Sequence, residues 1–393
     1  MTLQPLEFED PRLLQENEFA AAERLSRLCF GGEDLEFPEV ETPADYAGPR
    51  RDKTYVIAHQ DKPISLISTF HYRVRLTDGY IRIGSIGGVC THPKFRERRL
   101  AGRLMEYSTQ QLAQQGARVL LISGERGLYT RLGCVRAGLF HEFTIQPDPH
   151  HPVKAGLDVR LASSSEAALL SQIYQAEPAH FEREVDFMSK RLSHQGGYIH
   201  AEKWIVNISG KPAAYLLLGL PWEYLGRPEA GIRHVREYAG SRLALAEAPE
   251  LIKTRQNISQ IGWPVGWQDV DLIHLLREKG HLAHQVALPE HTLRIINLPG
   301  LMRDLRPYLR ARLEARLRRG LCFEQTGALL GATGTDRYAL ARGKDRLEMD
   351  GADMTRLVLG APDRPAVQAP GALAEIVPAL FPLPSFMPGL NYQ

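Results

Sequence analysis

The chain has 393 residues, of which 44% are hydrophobic and 24% charged, a composition typical of globular proteins that bury their cores without disulfides. The 48 Lys and Arg against 46 Asp and Glu leave a net charge of +2, which excludes a globally charged nucleic-acid or membrane-surface binder. The longest apolar run, near residues 212–220, is too short for a membrane helix, and the acidic N-terminus predicts no signal peptide. Four isolated cysteines predict a reduced, cytoplasmic protein without a disulfide framework.

The first segment, residues 1–150, alternates strand and helix patterns. The predicted elements are a helix over 14–30, an acidic loop rich in Gly and Pro over 31–50, strands over 54–59, 64–76 and 80–93, a helix over 100–116, a strand over 117–123, a short helix over 126–133 and a strand over 137–145. The continuous apolar run over 117–123 predicts a central strand. The strand over 137–145 is expected to close the sheet of this segment.

Residues 151–290 and 291–393 form two further predicted segments. The second contains predicted helices over 163–178, 241–254 and 270–280 and predicted strands over 203–210, 213–220, 232–240 and 257–265. This order echoes that of the first segment, although the signature residues of the first segment do not recur. The third segment begins with a strand over 292–298 and one helix over 301–320, and it continues with three short strands and two helices.

Two features that could indicate a ligand are interpreted as structural. The helix over 301–320 carries seven Arg, but it also repeats Leu every four residues, which is typical of an amphipathic helix with a solvated face. A nucleic-acid surface at these arginines is therefore not expected. His281, His284 and His291 have neither a neighbouring Cys nor a helical i,i+4 spacing, so no metal site is predicted.

The stretch over 87–105 carries the most specific chemical signal. A strand ends at His92-Pro93, a basic turn follows, and a helix begins near Leu100. The unpaired N–H groups at a helix N-terminus and the helix dipole together favour phosphate. Residues 94–103 contain five Lys and Arg against Glu97, a local charge of +4 that suits a pyrophosphate. An ordinary strand–turn–helix with a solvated basic face would show the same pattern.

The sequence Arg96-Glu97-Arg98-Arg99-Leu100-Ala101 resembles the loop Arg/Gln-x-x-Gly-x-Gly/Ala of the GNAT N-acetyltransferase superfamily. Arg99 replaces the middle glycine, and it either narrows the cradle for CoA or adds a cation to it. Leu128-Tyr129-Thr130-Arg131-Leu132-Gly133-Cys134 is similar to the Tyr-x-x-x-Gly-Phe motif of the same family. The resemblance implies that acetyl-CoA binds at Val89, Cys90, Thr91, Arg96, Glu97, Arg98, Arg99, Leu100, Ala101 and Gly102.

The same resemblance implies roles in acetyl transfer to an amine. Tyr129 would be the general acid for the departing thiolate, although it could also be a core aromatic residue. Glu125 would hold the cationic amine of the substrate, or be a solvated turn carboxylate. In Eis-type (enhanced intracellular survival) enzymes the terminal carboxylate is the base. That role would fall here to Gln393, unless the chain end is frayed.

The whole chain resembles the Eis-type proteins, which implies an α/β (α+β) fold with two tandem GNAT-like mixed-sheet domains and a sterol-carrier-like α+β domain. The expected domains are 1–150, 151–290 and 291–393, the second of them degenerate and unable to bind CoA well. The expected function is acetyl-CoA-dependent N-acetylation of a small-molecule or peptide amine by a metal-free, cytoplasmic homo-oligomer with no nucleic-acid or membrane partner. The alternative is a non-catalytic CoA- or lipid-binding protein.

Overall fold

The computed structural model describes residues 7–30, 53–148, 150–187, 189, 201–220, 231–326, 336–363 and 367–391. The predicted acidic loop over 31–50 lies outside these residues. The mixed α/β fold class is confirmed, since two seven-stranded mixed sheets and a three-stranded sheet are present. Among the described residues, no helix is both long and apolar enough to cross a membrane.

The first sheet has the strand order β1-β2-β3-β4-β5-β14, with β8 also paired to β3. Its strands are β1 (Arg12–Leu13), β2 (Thr54–His59), β3 (Lys62–Leu76), β4 (Gly79–Thr91), β5 (Val119–Ser123), β8 (Ala179–Phe181) and β14 (His291–Ile295). Only the central pair β4–β5 is parallel. Its helices are α1 (Phe19–Phe30), α2 (Leu100–Gln114) and α3 (Gly127–Arg131). The positive φ of Gln60 and Asp61 allows the tight hairpin between β2 and β3.

The second sheet has the order β13-β6-β12-β11-β10-β9-β7, in which only β11–β12 is parallel. Its strands are β6 (Phe140–Ile145), β7 (Leu157–Leu161), β9 (Ala201–Ile208), β10 (Lys211–Gly219), β11 (Ile232–Gly240), β12 (Gln260–Gly266) and β13 (Ala283–Val286). Its helices are α4 (Ala167–Gln175), α5 (Arg242–Lys253) and α6 (Val270–Glu278). The order strand, helix, strand, helix from β11 to α6 repeats the order from β4 to α3.

The two large sheets exchange a strand. The prediction that residues 137–145 close the first sheet is wrong, because β6 pairs with β12 and β13 in the second sheet. The corresponding place beside β5 is taken by β14, which follows the second sheet in sequence. An apolar strand pattern indicates a strand but does not specify its partner, so the sequence could not show the exchange.

The third sheet is antiparallel and contains β15 (Leu321–Thr326), β16 (Arg337–Arg342) and β17 (Asp345–Asp350), followed by α10 (Gly351–Leu359) and α11 (Leu373–Leu380). The single helix predicted over 301–320 is wrong. The chain forms α7 (Leu298–Asp304), α8 (Arg306–Arg312) and α9 (Ala315–Arg318) instead. Pro307 lies in the first turn of α8, where it lacks the N–H that would continue α7. The leucine stripe still faces the core, since Leu301, Leu305, Leu313 and Leu317 are all buried.

Candidate functional site

The two central strands of the first sheet separate at their C-terminal ends. Parallel pairing of β4 with β5 ends at Ile86 and Ile122, whereas β4 continues to Thr91. Gly88 has a φ of +60°, and the register between β3 and β4 shifts by one residue around it, which marks a β-bulge. Among the described residues no strand pairs with β4 on its β5 side beyond Ile86. Among the described residues, the β5-facing edge of β4 is therefore unpaired beyond Ile86, and the region between this edge and the end of β5 is called the opening below.

The predicted CoA residues of β4 fall on this wall. Val89 and Thr91 are half-buried, and Cys90 is buried with its side chain against α1. The Cys90 carbonyl accepts a hydrogen bond from Ser65 Oγ at 3.1 Å, so it is engaged away from the opening. A role for Cys90 in binding CoA would therefore fall to its backbone and not to its thiol.

The turn between β4 and α2 together with the first turn of α2, residues 96–102, is called the phosphate loop below, and it exposes a row of backbone N–H groups. Glu97 and Arg99 both adopt the left-handed conformation, with φ of +65° and +61°, and α2 begins directly after Arg99. The N–H groups of Leu100, Ala101 and Gly102 belong to the first turn of α2, where no helical carbonyl can accept them. A Cβ placed on Gly102 would meet nothing within 4 Å. This open, unpaired N-terminus fits the pyrophosphate of CoA.

The cations around this loop are not equivalent. The side chains of Arg96, Arg98 and Arg99 are exposed, and Arg96 Nε donates to the Thr91 carbonyl at 3.4 Å. Arg103 instead pairs with Asp10 at 2.9 Å, so its charge is compensated. Leu100 is buried beneath the helix and can contribute only its backbone.

Tyr129 lies at the β5 side of the opening. It is buried in α3, and its Cε2 atom is 3.8 Å from where Gly124 would carry a Cβ. Its hydroxyl has no hydrogen-bond partner among the described residues. Burial raises the pKa of the Tyr129 hydroxyl, so the phenol stays protonated at neutral pH and can donate a proton.

The other predicted substrate residue, Glu125, is exposed and pairs with Arg136 at 3.1 Å. A second carboxylate that the sequence analysis did not identify lies on the same side. The Gly124 N–H donates to the Glu290 carbonyl at 2.7 Å, and the Glu290 carboxylate pairs with Arg236 at 2.7 Å. Only the exchange of β14 into the first sheet brings Glu290 to this position, so no local sequence signal could have identified it.

The C-terminal segment is fixed by a buried polar network. Arg183 pairs with Glu237 at 2.6 Å and donates to the side chain of Asn391, also at 2.6 Å. The Leu390 N–H donates to Glu237, which also accepts from the hydroxyl of Tyr215 at 2.7 Å. Gln393, the predicted base, lies two residues beyond Asn391 and outside the described residues.

The second sheet contains a counterpart of the phosphate loop, but a carboxylate occupies it. Parallel pairing of β11 with β12 ends at His234 and Gly262, and α5 begins just after Gly240. Glu177 accepts from the Gly240 N–H at 2.7 Å and from both terminal nitrogens of Arg242 at 2.6–2.7 Å. Glu177 thus occupies the position where a phosphate would accept hydrogen bonds.

The space next to this counterpart is also unfavourable to anions. A cavity of about 660 Å³ there is lined by Glu177, Glu237, Asp269 and Asp271 as well as Arg242. The single guanidinium is compensated, because Arg242 pairs with both Glu177 and Asp269. The lining carries more carboxylates than cations, which would repel a pyrophosphate. Weak CoA binding by this segment stays a prediction.

The match to a known protein family falls on the third of the chain that holds the opening. Residues 10–137 match the model of the acetyltransferase (GNAT) domain. The matched domain therefore includes β4, the phosphate loop, α2, β5 and Tyr129. The match supports acetyl transfer as the general activity, with acetyl-CoA as the usual donor of GNAT domains. Among the described residues, no group of three or more His, Cys, Asp or Glu could hold a metal ion.

Solved structures resemble the whole chain and not only the GNAT domain. A GCN5-related N-acetyltransferase from Kribbella flavida is 14% identical, with 98% of each chain covered and a TM-score of 0.64. A probable N-acyltransferase from Enterococcus faecalis is 15% identical, with 97% of this chain and 99% of that chain covered and a TM-score of 0.67. Eis1 from Mycobacterium abscessus is 16% identical, with 96% and 99% covered and a TM-score of 0.61. At these identities the likeness shows the fold alone, and no curated protein matches the sequence.

Proposed function

We propose that the protein is an N-acetyltransferase that moves the acetyl group of acetyl-CoA to a primary amine by direct attack. The observation that carries the proposal is the opening between β4 and β5, which joins an unpaired helix N-terminus at residues 100–102 to the free hydroxyl of Tyr129. Acetyl-CoA, when bound, supplies the activated thioester. The chain supplies an anion site at one end of the opening and a proton donor at the other.

Each residue then has a defined task. The N–H groups of Leu100, Ala101 and Gly102 would bind the pyrophosphate, and Arg96 and Arg99 would add positive charge at its rim. Tyr129 would hold a proton at its hydroxyl for the leaving sulfur, since the phenol is protonated at neutral pH. Glu125 and Glu290, each of which also pairs with an arginine, would accept hydrogen bonds from the ammonium form of the amine, and the carboxylate of Gln393 would accept its proton.

Two measurements test the proposal. Acetyl-CoA binding is measured by calorimetry, and thiol release is followed with a panel of amines that includes aminoglycosides, polyamines and peptides. Micromolar binding together with amine-dependent thiol release is expected. Binding without turnover across the panel would favour the alternative, a non-catalytic CoA-binding protein. Absence of binding would contradict both of them and would favour a lipid ligand.

Tyr129→Phe tests the proton donor. We expect kcat to fall about 10²–10⁴-fold, since that is the usual contribution of a general acid, while the affinity for acetyl-CoA is retained. Tyr107→Phe is the matched control, because Tyr107 lies on α2 with its ring against Tyr55. Turnover that survives in Tyr129→Phe would remove this residue from the mechanism.

Further properties of the protein stay predictions, made from the sequence pattern or from the resemblance to Eis-type proteins. They are the domain boundaries, the sterol-carrier-like character of residues 291–393, the closed homo-oligomer, the cytoplasmic location and the absence of nucleic-acid and membrane partners. Sedimentation velocity tests the oligomer directly. Binding of a fluorescent fatty acid or sterol tests the third segment.

A further inference from the structure

Two cysteines that are far apart in the sequence meet beside the phosphate loop. Cys29 lies in the last turn of α1 and is half-buried, and Cys90 lies on β4 and is buried. Both belong to one apolar cluster between α1 and β4, and the Cys29 thiol donates a hydrogen bond at 3.5 Å to the carbonyl of Thr91, the residue next to Cys90. This places Cys90 within hydrogen-bonding reach of Cys29. Neither cysteine forms a disulfide in this structure.

The surroundings of the two cysteines shift the pKa values of their thiols in opposite directions. The hydrogen bond from Cys90 and, to a smaller extent, the guanidinium of Arg96 lower the pKa of Cys29 to about 6. The same hydrogen bond and burial raise the pKa of Cys90. The thiolate, the nucleophilic form, therefore forms more readily at Cys29 than at Cys90, and Cys90 is left as the thiol that can attack a derivative of Cys29. Cys134, by contrast, is fully buried, and burial raises its pKa to about 12.

We propose that Cys29 and Cys90 form a reversible oxidation site, and that its oxidation strengthens anion binding at the phosphate loop. The oxidant is a low-molecular-weight disulfide. The Cys29 thiolate attacks one of its sulfurs, forming a mixed disulfide and expelling one thiolate. Cys90 then loses its proton and attacks Cys29 Sγ, which closes the Cys29–Cys90 bond and expels the second thiol. The two protein thiols lose two electrons, and the oxidant gains them.

The link to the phosphate loop is electrostatic, and it rests on the proposed function. Arg96 is the first residue of the loop, and its guanidinium donates to the Thr91 carbonyl, the same oxygen that accepts from Cys29, so the two side chains are neighbours. Oxidation removes the negative charge of Cys29, so Arg96 becomes available to an anion and a nearby repulsive charge disappears. Binding linkage is reciprocal, so bound CoA should in turn favour the disulfide.

The first experiment maps the disulfide in the full chain without reference to CoA. Cys322→Ser is the background, because Cys322 is exposed and would react on its own. The reduced protein is incubated with glutathione disulfide, remaining thiols are alkylated, and peptides are identified by mass spectrometry. A Cys29–Cys90 peptide is expected, with Cys134 alkylated only after denaturation. Cys90→Ser should instead trap glutathione on Cys29. Absence of the Cys29–Cys90 peptide would overturn the proposal.

The second experiment measures acetyl-CoA affinity by calorimetry in the reduced, oxidised and Cys29→Ser forms. Cys29→Ser removes the charge without forming a cross-link. Both the oxidised form and Cys29→Ser should bind about 3–10-fold more tightly than the reduced form, which is the range of one partly screened charge. Equal or weaker binding would overturn the coupling to the loop. No binding in any form would overturn the proposed function and the coupling together, while the disulfide mapping would still decide the oxidation site.

Discussion

Arg99 occupies the position where the GNAT loop carries a glycine, and the structure shows why glycine is favoured there. Its φ of +61° lies in the left-handed region, which costs a non-glycine residue about 1–2 kcal/mol. The sequence analysis left open whether Arg99 narrows the cradle or adds a cation to it. The exposed side chain is consistent with an added cation, since it lies in solvent at the rim.

Arg99→Gly and Arg99→Ala separate strain from charge. Both should weaken acetyl-CoA binding about 2–5-fold, because both remove one exposed cation. Arg99→Gly should be about 1 kcal/mol more stable than Arg99→Ala, because only alanine keeps the left-handed strain. Calorimetry gives the affinity, and urea unfolding gives the stability. Tighter binding by both variants would show that the Arg99 side chain obstructs the cradle.

His291 makes the stability of the protein depend on pH. It is buried at the start of β14, and burial lowers its pKa to about 4, against about 6.5 in an unfolded chain. Between these values the unfolded state binds a proton that the folded state does not. The stability that the neutral, buried His291 contributes is therefore complete above pH 6.5. As the pH falls towards 4, the free energy of unfolding decreases by about 3 kcal/mol.

Urea unfolding between pH 4.5 and 7 measures this dependence. In His291→Gln, the slope of the free energy of unfolding against pH should be smaller by the contribution of about one proton. His274→Gln is the control, because its side chain is 70% exposed. A slope that is unchanged in His291→Gln would show that other groups cause the loss of stability in acid.

The C-terminal segment shows how a single glycine can position a whole element. Gly389 has a φ of +53°, and a Cβ on it would fall on Glu237 Oε2, the carboxylate that pairs with Arg183 and accepts from Leu390. The tail can therefore lie against β11 only if residue 389 has no side chain. Because the chain end is two residues beyond Asn391, this contact also positions the proposed base.

Gly389→Ala should release the segment over 385–391 and lower kcat as much as deletion of residues 392–393 does, with acetyl-CoA affinity retained. Gly343→Ala is the matched control, since Gly343 also has a left-handed φ (+60°) but no atom within 4 Å of its Cβ position. Hydrogen exchange over 385–391 reports the release, and thiol release reports kcat. A released tail with unchanged kcat would exclude the terminal carboxylate as the base.

Elements with a local signal could be predicted from the sequence, and relations between elements could not. The strand and helix that flank the phosphate loop follow from apolar periodicity, and Tyr129 follows from its motif, because both depend on neighbouring residues. The approach of Cys29 to Cys90 and of Glu290 to Gly124 depends on packing between distant segments. The break of the helix over 301–320 had a local cause in Pro307, which the leucine repeat masked.

At the scale of the whole molecule, the strand exchange crosses the predicted domain boundaries. The first sheet needs β14 from beyond the second sheet, and the second sheet needs β6 from the end of the first segment. One buried apolar cluster also runs through all three segments, with Val74 in the first, Tyr215 in the second and Leu357 in the third. The three segments are therefore expected to unfold as one cooperative unit and not as separate domains.

A fragment of residues 1–150 should therefore fail to fold on its own. In this fragment, the edge of β5 that pairs with β14 would be unpaired, and β6 would lack its partner β12. Exposed strand edges of this kind lead to aggregation. Residues 1–136 joined by a Gly/Ser linker to residues 288–298 restore the neighbour of β5, and a scrambled 288–298 sequence is the control. Only the native fusion should protect the β5 amides from hydrogen exchange. A 1–150 fragment that unfolds cooperatively and binds acetyl-CoA like the full chain would show that β14 merely covers a sheet that is already complete.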